Sequence, residues 1–251
     1  MNKFLRVIQS ELILSRIRKD LEINGASSKE LKYLDFHRSR FDYLLRLGDR
    51  YFKSGAKLLD LGSLFGHLCA GAKAIGYETS GLDRPESVQE FAPRFEQLDI
   101  KNIACDLEKE AIPCPDQEFD LVLASEILGH LNFHPTRFFK EIERVLKPGG
   151  LLILSTPNLM RLNNVVKMFF GFKTNWDSQD DYWSGASHRE FTAAEVVYLL
   201  KKSGLKIKRL EYKNFRHSNL SRINKLFNKL SGPILPHRKG SLVIVAKKPQ
   251  N

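Results

Sequence analysis

The sequence contains few cysteines, no long apolar run and almost no acid in its last fifth. Its three cysteines, Cys69, Cys105 and Cys114, are odd in number and lack the spacing of metal ligands, so we expect reduced thiols and a cytoplasmic setting. No apolar stretch approaches the roughly 20 residues that cross a bilayer. The N-terminus shows no apolar core followed by a small-residue cleavage site. The sequence therefore predicts neither a membrane span nor a secretion signal.

The scarcity of acid near the end makes the charge of the chain uneven. From residue 201 onward, fourteen Lys and Arg face one acid, Glu211, which gives this part a net charge of +13. The whole chain carries +11, so residues 1–200 carry −2. Basic segments of this kind bind anionic surfaces, either nucleic-acid phosphates or membrane headgroups.

The length and composition of the chain indicate a folded domain, and the apolar spacing near the N-terminus indicates helices before it. At 251 residues, with 42% hydrophobic and 27% charged residues, the chain is long enough for one sizeable α/β domain with additions. Residues 1–22 carry apolar side chains at helical spacing, and Ser27 with Glu30 forms a capping box for a second helix. We predict a helical cap over residues 1–54, which either closes over a ligand or only packs, and an α/β domain over residues 55–251.

A glycine turn follows the first strand pattern of that domain. Residues 57–61 read as a buried strand that ends beside Asp60, Gly62 and Gly66 interrupt it, and small residues then resume at helical spacing. Such a turn lets a ligand approach bare backbone and the N-terminus of a helix. A tight strand-to-helix connection is the alternative reading.

A second acid strengthens the ligand reading. Asp83 ends the next apolar stretch, roughly 20 residues further on, where a βαβ unit places a carboxylate for a ribose diol. The predicted strands are residues 57–62, 77–83, 100–107, 120–125 and 151–156. The predicted helices between them are residues 66–75, a short helix after Pro85, and residues 135–146, with the Lys-Pro-Gly-Gly of residues 147–150 as the stop before the last of these strands. This alternation predicts a doubly wound, mostly parallel sheet. Ligands of such sheets lie at the carboxyl ends of the strands. Together these features predict a nucleoside site.

Five landmarks in order, two of which are Asp83 and residues 104–107, carry a resemblance to class I S-adenosylmethionine-dependent methyltransferases. Residues 60–66, Asp-Leu-Gly-Ser-Leu-Phe-Gly, match the Asp-x-Gly-x-Gly-x-Gly turn of the family except that Leu64 replaces the middle glycine. Residues 119–131 resemble its fourth strand, with Gly129 where the family usually has the Glu of Glu-His-Leu. Residues 146–158 resemble the Pro-Gly-Gly turn and fifth strand.

The resemblance implies a fold, a cofactor and a set of site residues. The fold would be a Rossmann-like, seven-stranded sheet with a C-terminal antiparallel pair, and the cofactor S-adenosylmethionine. Asp83 would bind the ribose hydroxyls, and residues 104–107 would bring Asp106 and Leu107 beside the adenine. The implied cofactor-binding residues are Asp60, Gly62, Ser63, Gly66, Asp83, Arg84, Asp106, Leu107, Ser125 and Glu126.

Candidate acceptor and catalytic residues follow the fourth and fifth strands. A helix is predicted from Leu159 to Phe170, Thr192 and Glu195 form a capping box for another over residues 193–203, and two strands are predicted at residues 205–212 and 241–246. Residues 171–190 are rich in Trp, Tyr, Asp and Ser, and long irregular connections are usually functional, so we predict a substrate loop. A solvent loop pinned by tryptophans is the alternative. His130 and His188 are the candidate bases for a hydroxyl acceptor. Residues 188–192, His-Arg-Glu-Phe-Thr, resemble a passage of methyltransferases that act on quinone precursors and cell-surface sugars.

The basic residues near the C-terminus form an insertion before the last strand. Within residues 216–240, apolar positions alternate with Arg and Lys at helical spacing, which predicts a basic amphipathic helix. Such a helix lies on an anionic membrane surface or meets an acidic partner. An ordinary solvated face over a buried stripe is the alternative.

Three functions are compatible with these patterns. The first is O-methylation of a small molecule or a lipid-linked glycan by in-line transfer, with no metal. The second is methylation of nucleic acid, held by the basic segment; the lack of the Asn/Asp-Pro-Pro-aromatic motif after Leu123 argues against it. The third is a non-catalytic protein with this fold, which the departure at Leu64 leaves open.

Overall fold

A computed structural model describes residues 3–52, 54–132, 135–172, 189–215 and 235–250, with side chains from residue 12 onward. Two 3₁₀ turns, Leu128–His130 and Pro236–Arg238, accompany the regular elements. The helices and strands are, in chain order, α1 Lys3–Ile23, α2 Ser28–Gly48, β1 Lys57–Leu61, α3 His67–Ala74, β2 Glu78–Asp83, α4 Pro85–Gln97, β3 Lys101–Ala104, β4 Phe119–Ser125, α5 Thr136–Val145, β5 Leu146–Pro157, α6 Leu162–Phe169, α7 Ala193–Lys202, β6 Lys206–Lys213 and β7 Ser241–Lys247.

All seven strands form one sheet in the order β3-β2-β1-β4-β5-β7-β6. The first five pair in parallel, whereas β7 runs antiparallel to both β5 and β6. The predicted fold class, including the C-terminal antiparallel pair, is therefore confirmed. The strand order reverses between β1 and β4, and a doubly wound sheet opens a ligand crevice at such a switch point.

Side chains of each central strand alternate between two apolar cores. In β4, Leu121 and Leu123 face the side covered by α1, α2 and α3, whereas Val122 and Ala124 face the side covered by α5 and α7. Because both faces are covered, the strands read as continuous apolar runs rather than as alternating patterns. This burial explains why the sequence predicts the central strands well.

The N-terminal helices are part of the main core as well as a wall of the crevice. The predicted capping box at the start of α2 is present, because Ser27 Oγ accepts from Glu30 N and Glu30 Oε2 accepts from Ser27 N. Leu45 of α2 packs closely against Gly71 of α3. A Cβ added at Gly71 would lie only 2.6 Å from the Leu45 side chain. The boundary between residues 54 and 55 stays a prediction.

Several element boundaries differ from the predicted ones for local reasons. β3 ends at Ala104 instead of continuing to Leu107, because Asp106 starts a turn in which its Oδ1 accepts from Glu108 N across 3.0 Å. β5 begins at Leu146, before the expected Lys-Pro-Gly-Gly stop, because Leu146 pairs with Phe119 ahead of a register shift.

The helices α4 and α6 also differ from expectation. The helix after Pro85, predicted to be short, extends over 13 residues to Gln97. The helix predicted from Leu159 begins instead at Leu162, because Asn158 first organises a turn in which its Oδ1 accepts from Met160 N.

Two predicted segments lie wholly or mostly outside the described residues. These are the substrate loop, of which only residues 171–172 and 189–190 are described, and the basic insertion, of which only residues 235–240 are described. None of the helices in the described ranges combines the length and apolar character that crossing a bilayer requires.

Candidate active site

A cleft of about 840 Å³ opens at the carboxyl ends of β1, β2 and β4. This volume lies in the range of small-molecule and cofactor sites. Helix α2 forms its opposite wall. The predicted site residues that line the cleft are Gly62, Asp83, Arg84, Asp106, Leu107, Ser125, Glu126 and His130.

The glycine turn adopts left-handed backbone at three alternating positions. Gly62 has φ 74°, Leu64 φ 45° and Gly66 φ 71°, and a leucine in this region is strained, whereas glycine is not. Gly66 lies outside the cleft lining and precedes α3, where an added Cβ would meet the Phe95 ring at 3.0 Å. Gly66 therefore serves the packing of the turn, while Gly62 and Leu64 border the cleft.

Asp83 connects the end of β2 to the glycine turn. Its Oδ2 accepts from Leu64 N and its Oδ1 from Arg84 N, each across 2.8 Å. Burial raises the pKa of Asp83, and the two backbone N–H donors oppose that rise. A carboxylate has about four lone-pair sites, and Leu64 N, Arg84 N and the Ser87 hydroxyl use three of them, so about one stays open to a ligand hydroxyl in the cleft.

Asp106 and Leu107 form the far end of the cleft, beyond β3. A hydrogen bond from Lys109 lowers the pKa of Asp106, which keeps that carboxylate charged. Leu107 is buried beside it and gives an apolar surface. An acid next to an apolar wall suits a flat heteroaromatic ring that carries polar edges.

Asp60 lies below the cleft, against a cavity of about 10 Å³ that Ser63 and Ser125 also line. Burial raises the pKa of Asp60 to about 7, the Cys69 thiol opposes that rise by donating to Asp60 Oδ2 across 3.3 Å, and the negative charge of Asp83 adds to it. An ionised Asp60 favours a cation above it, and a bound cation would in turn lower its pKa.

Glu126 follows β4 with a left-handed backbone, φ 62°. Its Oε1 accepts from Ser155 Oγ across 3.0 Å and lies 3.7 Å from Arg40 Nη1. The Arg40 side chain is 6% exposed and its Nε has no hydrogen-bond partner among the described residues. The cleft thus has a buried cation behind its wall that is only partly neutralised.

The structure describes one of the two predicted catalytic histidines, His130. His130 ends the 3₁₀ turn after β4 and lines the cleft, and its N–H donates to Ile127 O across 2.9 Å. His188 lies outside the described residues. The residue that follows it, Arg189, is described, and its N–H donates to Gly129 O across 3.2 Å. The end of the predicted substrate loop is thereby held next to the turn that carries His130.

Helix α2 contributes side chains to the cleft that the predicted helical cap did not name. Tyr33 and His37 line the cleft, with ring centroids 4.3 Å apart, and the Tyr33 ring is 5.2 Å from Phe65 of the glycine turn. His67 is buried behind Phe65, and burial lowers its pKa to about 3, so this imidazole is neutral. The positions 33, 37 and 40 share one helix face, a spacing that could have indicated them.

Comparisons with known proteins agree with this architecture. A family model described as "Methyltransferase domain" matches residues 34–210. A protein of Mycolicibacterium smegmatis named as a probable S-adenosylmethionine-dependent methyltransferase is 27% identical over 157 residues, which are 61% of this chain and 53% of the relative. A mitochondrial ubiquinone biosynthesis O-methyltransferase from Mus musculus is 32% identical over 123 residues, 47% of this chain and 33% of the relative. The matches thus span about half and a third of these two relatives.

Solved structures share the fold at low sequence identity. A SAM-dependent methyltransferase from Methanosarcina mazei superposes with a TM-score of 0.61 at 19% identity, covering 82% of this chain and 98% of that one. At these identities the likeness shows the fold alone. The family match covers well over half of the chain and includes the glycine turn, Asp83, and the strands that predicted a nucleoside site. The chain therefore belongs to the class I S-adenosylmethionine-dependent methyltransferases.

Proposed function

We propose that the chain transfers a methyl group from S-adenosylmethionine to a hydroxyl oxygen of a small molecule or a lipid-linked glycan. The observation that carries this proposal is a single cleft bordered by the diol-suited carboxylate of Asp83 and by His130. The named activity of the ubiquinone O-methyltransferase relatives supports oxygen as the acceptor atom.

The residues of the cleft fit the donor that the family uses. Asp83 would hold the ribose hydroxyls, and Asp106 with Leu107 the adenine. The turn around Gly62 and the charge of Asp60 would hold the methionine end, where the donor has an ammonium group. Ser63 Oγ, which has no hydrogen-bond partner among the described residues, lines the small cavity beside Asp60 and would donate to the carboxylate of the methionine end, while Arg40 lies behind the cleft wall next to Glu126.

S-adenosylmethionine, when bound, supplies a methyl group on a sulfonium, so neither a metal nor a covalent protein intermediate is required. The chain contributes by holding the acceptor oxygen in line. His130 would accept the proton of the hydroxyl, a role worth roughly 10²–10⁴ in rate. His188 stays the second candidate for this role.

The test combines donor binding with turnover. Calorimetry should show that the chain binds S-adenosylmethionine, and S-adenosylhomocysteine should form when a catechol such as 3,4-dihydroxybenzoate is added. His130→Ala should lower kcat roughly 10²–10⁴-fold without weakening donor binding. His237→Ala, an exposed histidine on the Pro236–Arg238 turn, is the matched control. Absence of donor binding would favour the non-catalytic alternative and contradict the proposal.

The partner of the basic insertion belongs to the same proposal. We infer that residues 216–240 contact an anionic membrane surface, in keeping with a lipid-linked acceptor. A salt-dependent gel shift accompanied by methylation of nucleic acid would contradict this and favour the second function.

A further inference from the structure

The end of α6 exposes a continuous run of large apolar side chains. Met168 is 43% exposed, Phe169 83%, Phe170 67% and Phe172 67%. Elsewhere in the described ranges, large exposed hydrophobic side chains stand singly, as Ile23 does at the end of α1. Single exposed hydrophobic residues are ordinary, whereas a contiguous cluster marks an interaction surface. We call residues 168–172 the α6 tip.

The side chains of the α6 tip support one another without being covered. The Phe169 and Phe170 rings meet edge to face with centroids 5.3 Å apart. The chain turns back at Gly171, which has φ 75°, and Phe172 N donates to Lys167 O across 2.8 Å. The tip is therefore a hydrogen-bonded helix end that presents aromatic rings outward.

Basic residues border the segment that leads to the tip. Arg238 Nη1 donates to Met160 O across 3.3 Å, and Asn158 Nδ2 donates to the carbonyls of His237 and Lys239 across 3.0 and 2.8 Å. These bonds hold the basic turn Pro236–Arg238 at the start of α6. Because α6 has eight residues, its end lies about 12 Å from its start. Lys167 adds a cation in the last turn of α6.

Glu190, a described acid near α6, already has its own partners. Glu190 is 8% exposed, and its carboxylate accepts from Arg161 Nη1 and from Asn164 Nδ2, each across 2.6 Å. The cations at Arg238 and Lys239 are therefore not offset by Glu190. Because α6 follows the carboxyl end of β5, this helix begins at the edge of the sheet where the cleft opens.

We propose that the α6 tip inserts its phenylalanines into the interface of an anionic membrane, with Lys167, Arg238 and Lys239 facing the headgroups. Aromatic and aliphatic side chains beside cations are the composition of interfacial segments. A symmetric contact with a second copy is less suitable, because a two-fold axis through the tip would bring the same cations together. The inference does not depend on methyl transfer, although it would bring a lipid-linked acceptor to the cleft.

Flotation with vesicles tests the contact on the full chain. The protein should float with phosphatidylcholine vesicles that contain about one third phosphatidylglycerol, and less with phosphatidylcholine alone. Phe169→Ser with Phe170→Ser should weaken the affinity for the anionic vesicles about tenfold or more. Ile23→Ser, an equally exposed position on α1, should leave it unchanged. Equal flotation of the phenylalanine variant and the unchanged protein would overturn the proposal.

A fluorescent label gives a second readout that does not depend on the loss of binding. The three native cysteines are buried, so Phe169→Cys can be labelled selectively with a polarity-sensitive dye. Its emission should shift to the blue on anionic vesicles, while a label at Ile23→Cys should not shift. An unchanged spectrum at position 169 on bound protein would overturn the proposal.

Sedimentation velocity without lipid tests the alternative that a second copy of the chain covers the α6 tip. A dimer that the phenylalanine substitutions dissociate would assign the tip to a second copy and overturn membrane insertion. Calorimetry with S-adenosylmethionine on the same variants should give unchanged donor affinity. A failed flotation with normal donor binding would thus contradict this inference and the membrane contact of residues 216–240 but not methyl transfer, whereas absent donor binding with normal flotation would contradict only the proposed methyl transfer.

Discussion

The backbone N–H of Leu64 donates to Asp83 Oδ2 across 2.8 Å, which joins the glycine turn after β1 to the end of β2. Arg84 N donates to the other oxygen across the same distance. Two backbone donors thus face one carboxylate, and both need an acceptor oxygen opposite them. The shape of the cleft floor therefore depends on the charge state and the symmetry of this side chain.

Asp83→Asn should disturb both the turn and the donor site. The new amide must point its NH₂ toward one of the two N–H donors, because it has only one acceptor oxygen. We expect S-adenosylmethionine binding to weaken roughly 10–100-fold by calorimetry. Glu90→Gln makes the same charge change on an exposed part of α4 and should have no effect. Equal affinities of the two variants would contradict the role of Asp83.

Leu64 should reveal the strain of its left-handed backbone when two small replacements are compared. Leu64→Gly and Leu64→Ala remove the same packing, but only alanine retains the steric penalty at φ 45°. We expect the glycine variant to be more stable than the alanine variant by about 1 kcal/mol in urea unfolding. A more stable alanine variant would mean that the turn changes its backbone when the leucine is removed.

Asp60 should make the fold less stable as the pH rises from about 4 to about 7. Burial raises its pKa to about 7 from 3.8, so between these values the folded chain binds a proton that the unfolded chain has released. The contribution is therefore fully present below about pH 4 and is lost as the pH approaches 7.

Asp60→Asn cannot ionise and removes this dependence. Relative to the unchanged protein, its free energy of unfolding should rise by on the order of 1–3 kcal/mol between pH 5 and pH 8. Asp99→Asn is the control, since Lys73 lowers the pKa of that exposed carboxylate, so no such rise is expected. Parallel pH profiles of Asp60→Asn and the unchanged protein would contradict a raised pKa.

Glu190→Gln should affect acceptor binding more than donor binding. Glu190 links Arg161 and Asn164 of the α6 region to the segment that ends the predicted substrate loop. Glutamine keeps one acceptor oxygen, but its NH₂ would face the N–H donor of either Arg161 or Asn164 and leave that hydrogen bond unmade. We therefore expect the free energy of unfolding to fall by about 2 kcal/mol. With an acceptor identified by turnover, KM for it should rise while donor affinity stays unchanged.

A surface pair provides the comparison for Glu190. Glu143→Gln breaks a partly exposed ion pair with Lys248 and should cost less than about 1 kcal/mol with unchanged KM. If Glu190→Gln behaves like this control, Glu190 has no positioning role. If it weakens donor and acceptor binding equally, its role is structural.

Local patterns in the sequence predicted the elements whose signals are local. The capping box at Thr192 and Glu195 is present as predicted, because both of its hydrogen bonds lie within four residues. The ends of β4 and β7 agree within a residue or so, since apolar runs end where burial ends. The predicted extension of β3 beyond Ala104 was wrong, because the side chain of Asp106 organised a turn that the apolar pattern does not encode.

The sequence by itself determined the order of strands and helices, the glycine turn and the acids at the strand ends, because hydrophobic periodicity and turn chemistry act over a few residues. It could not place Tyr33 against Phe65, Arg40 beside Glu126, or Glu190 between Arg161 and Asn164. Only the tertiary structure decided these pairs, since each joins residues that are far apart in the chain and become neighbours when the sheet and α2 pack. The burial that shifts the pKa of Asp60 likewise exists only in the folded chain. The same holds for the packing that covers other apolar side chains and leaves those of the α6 tip exposed.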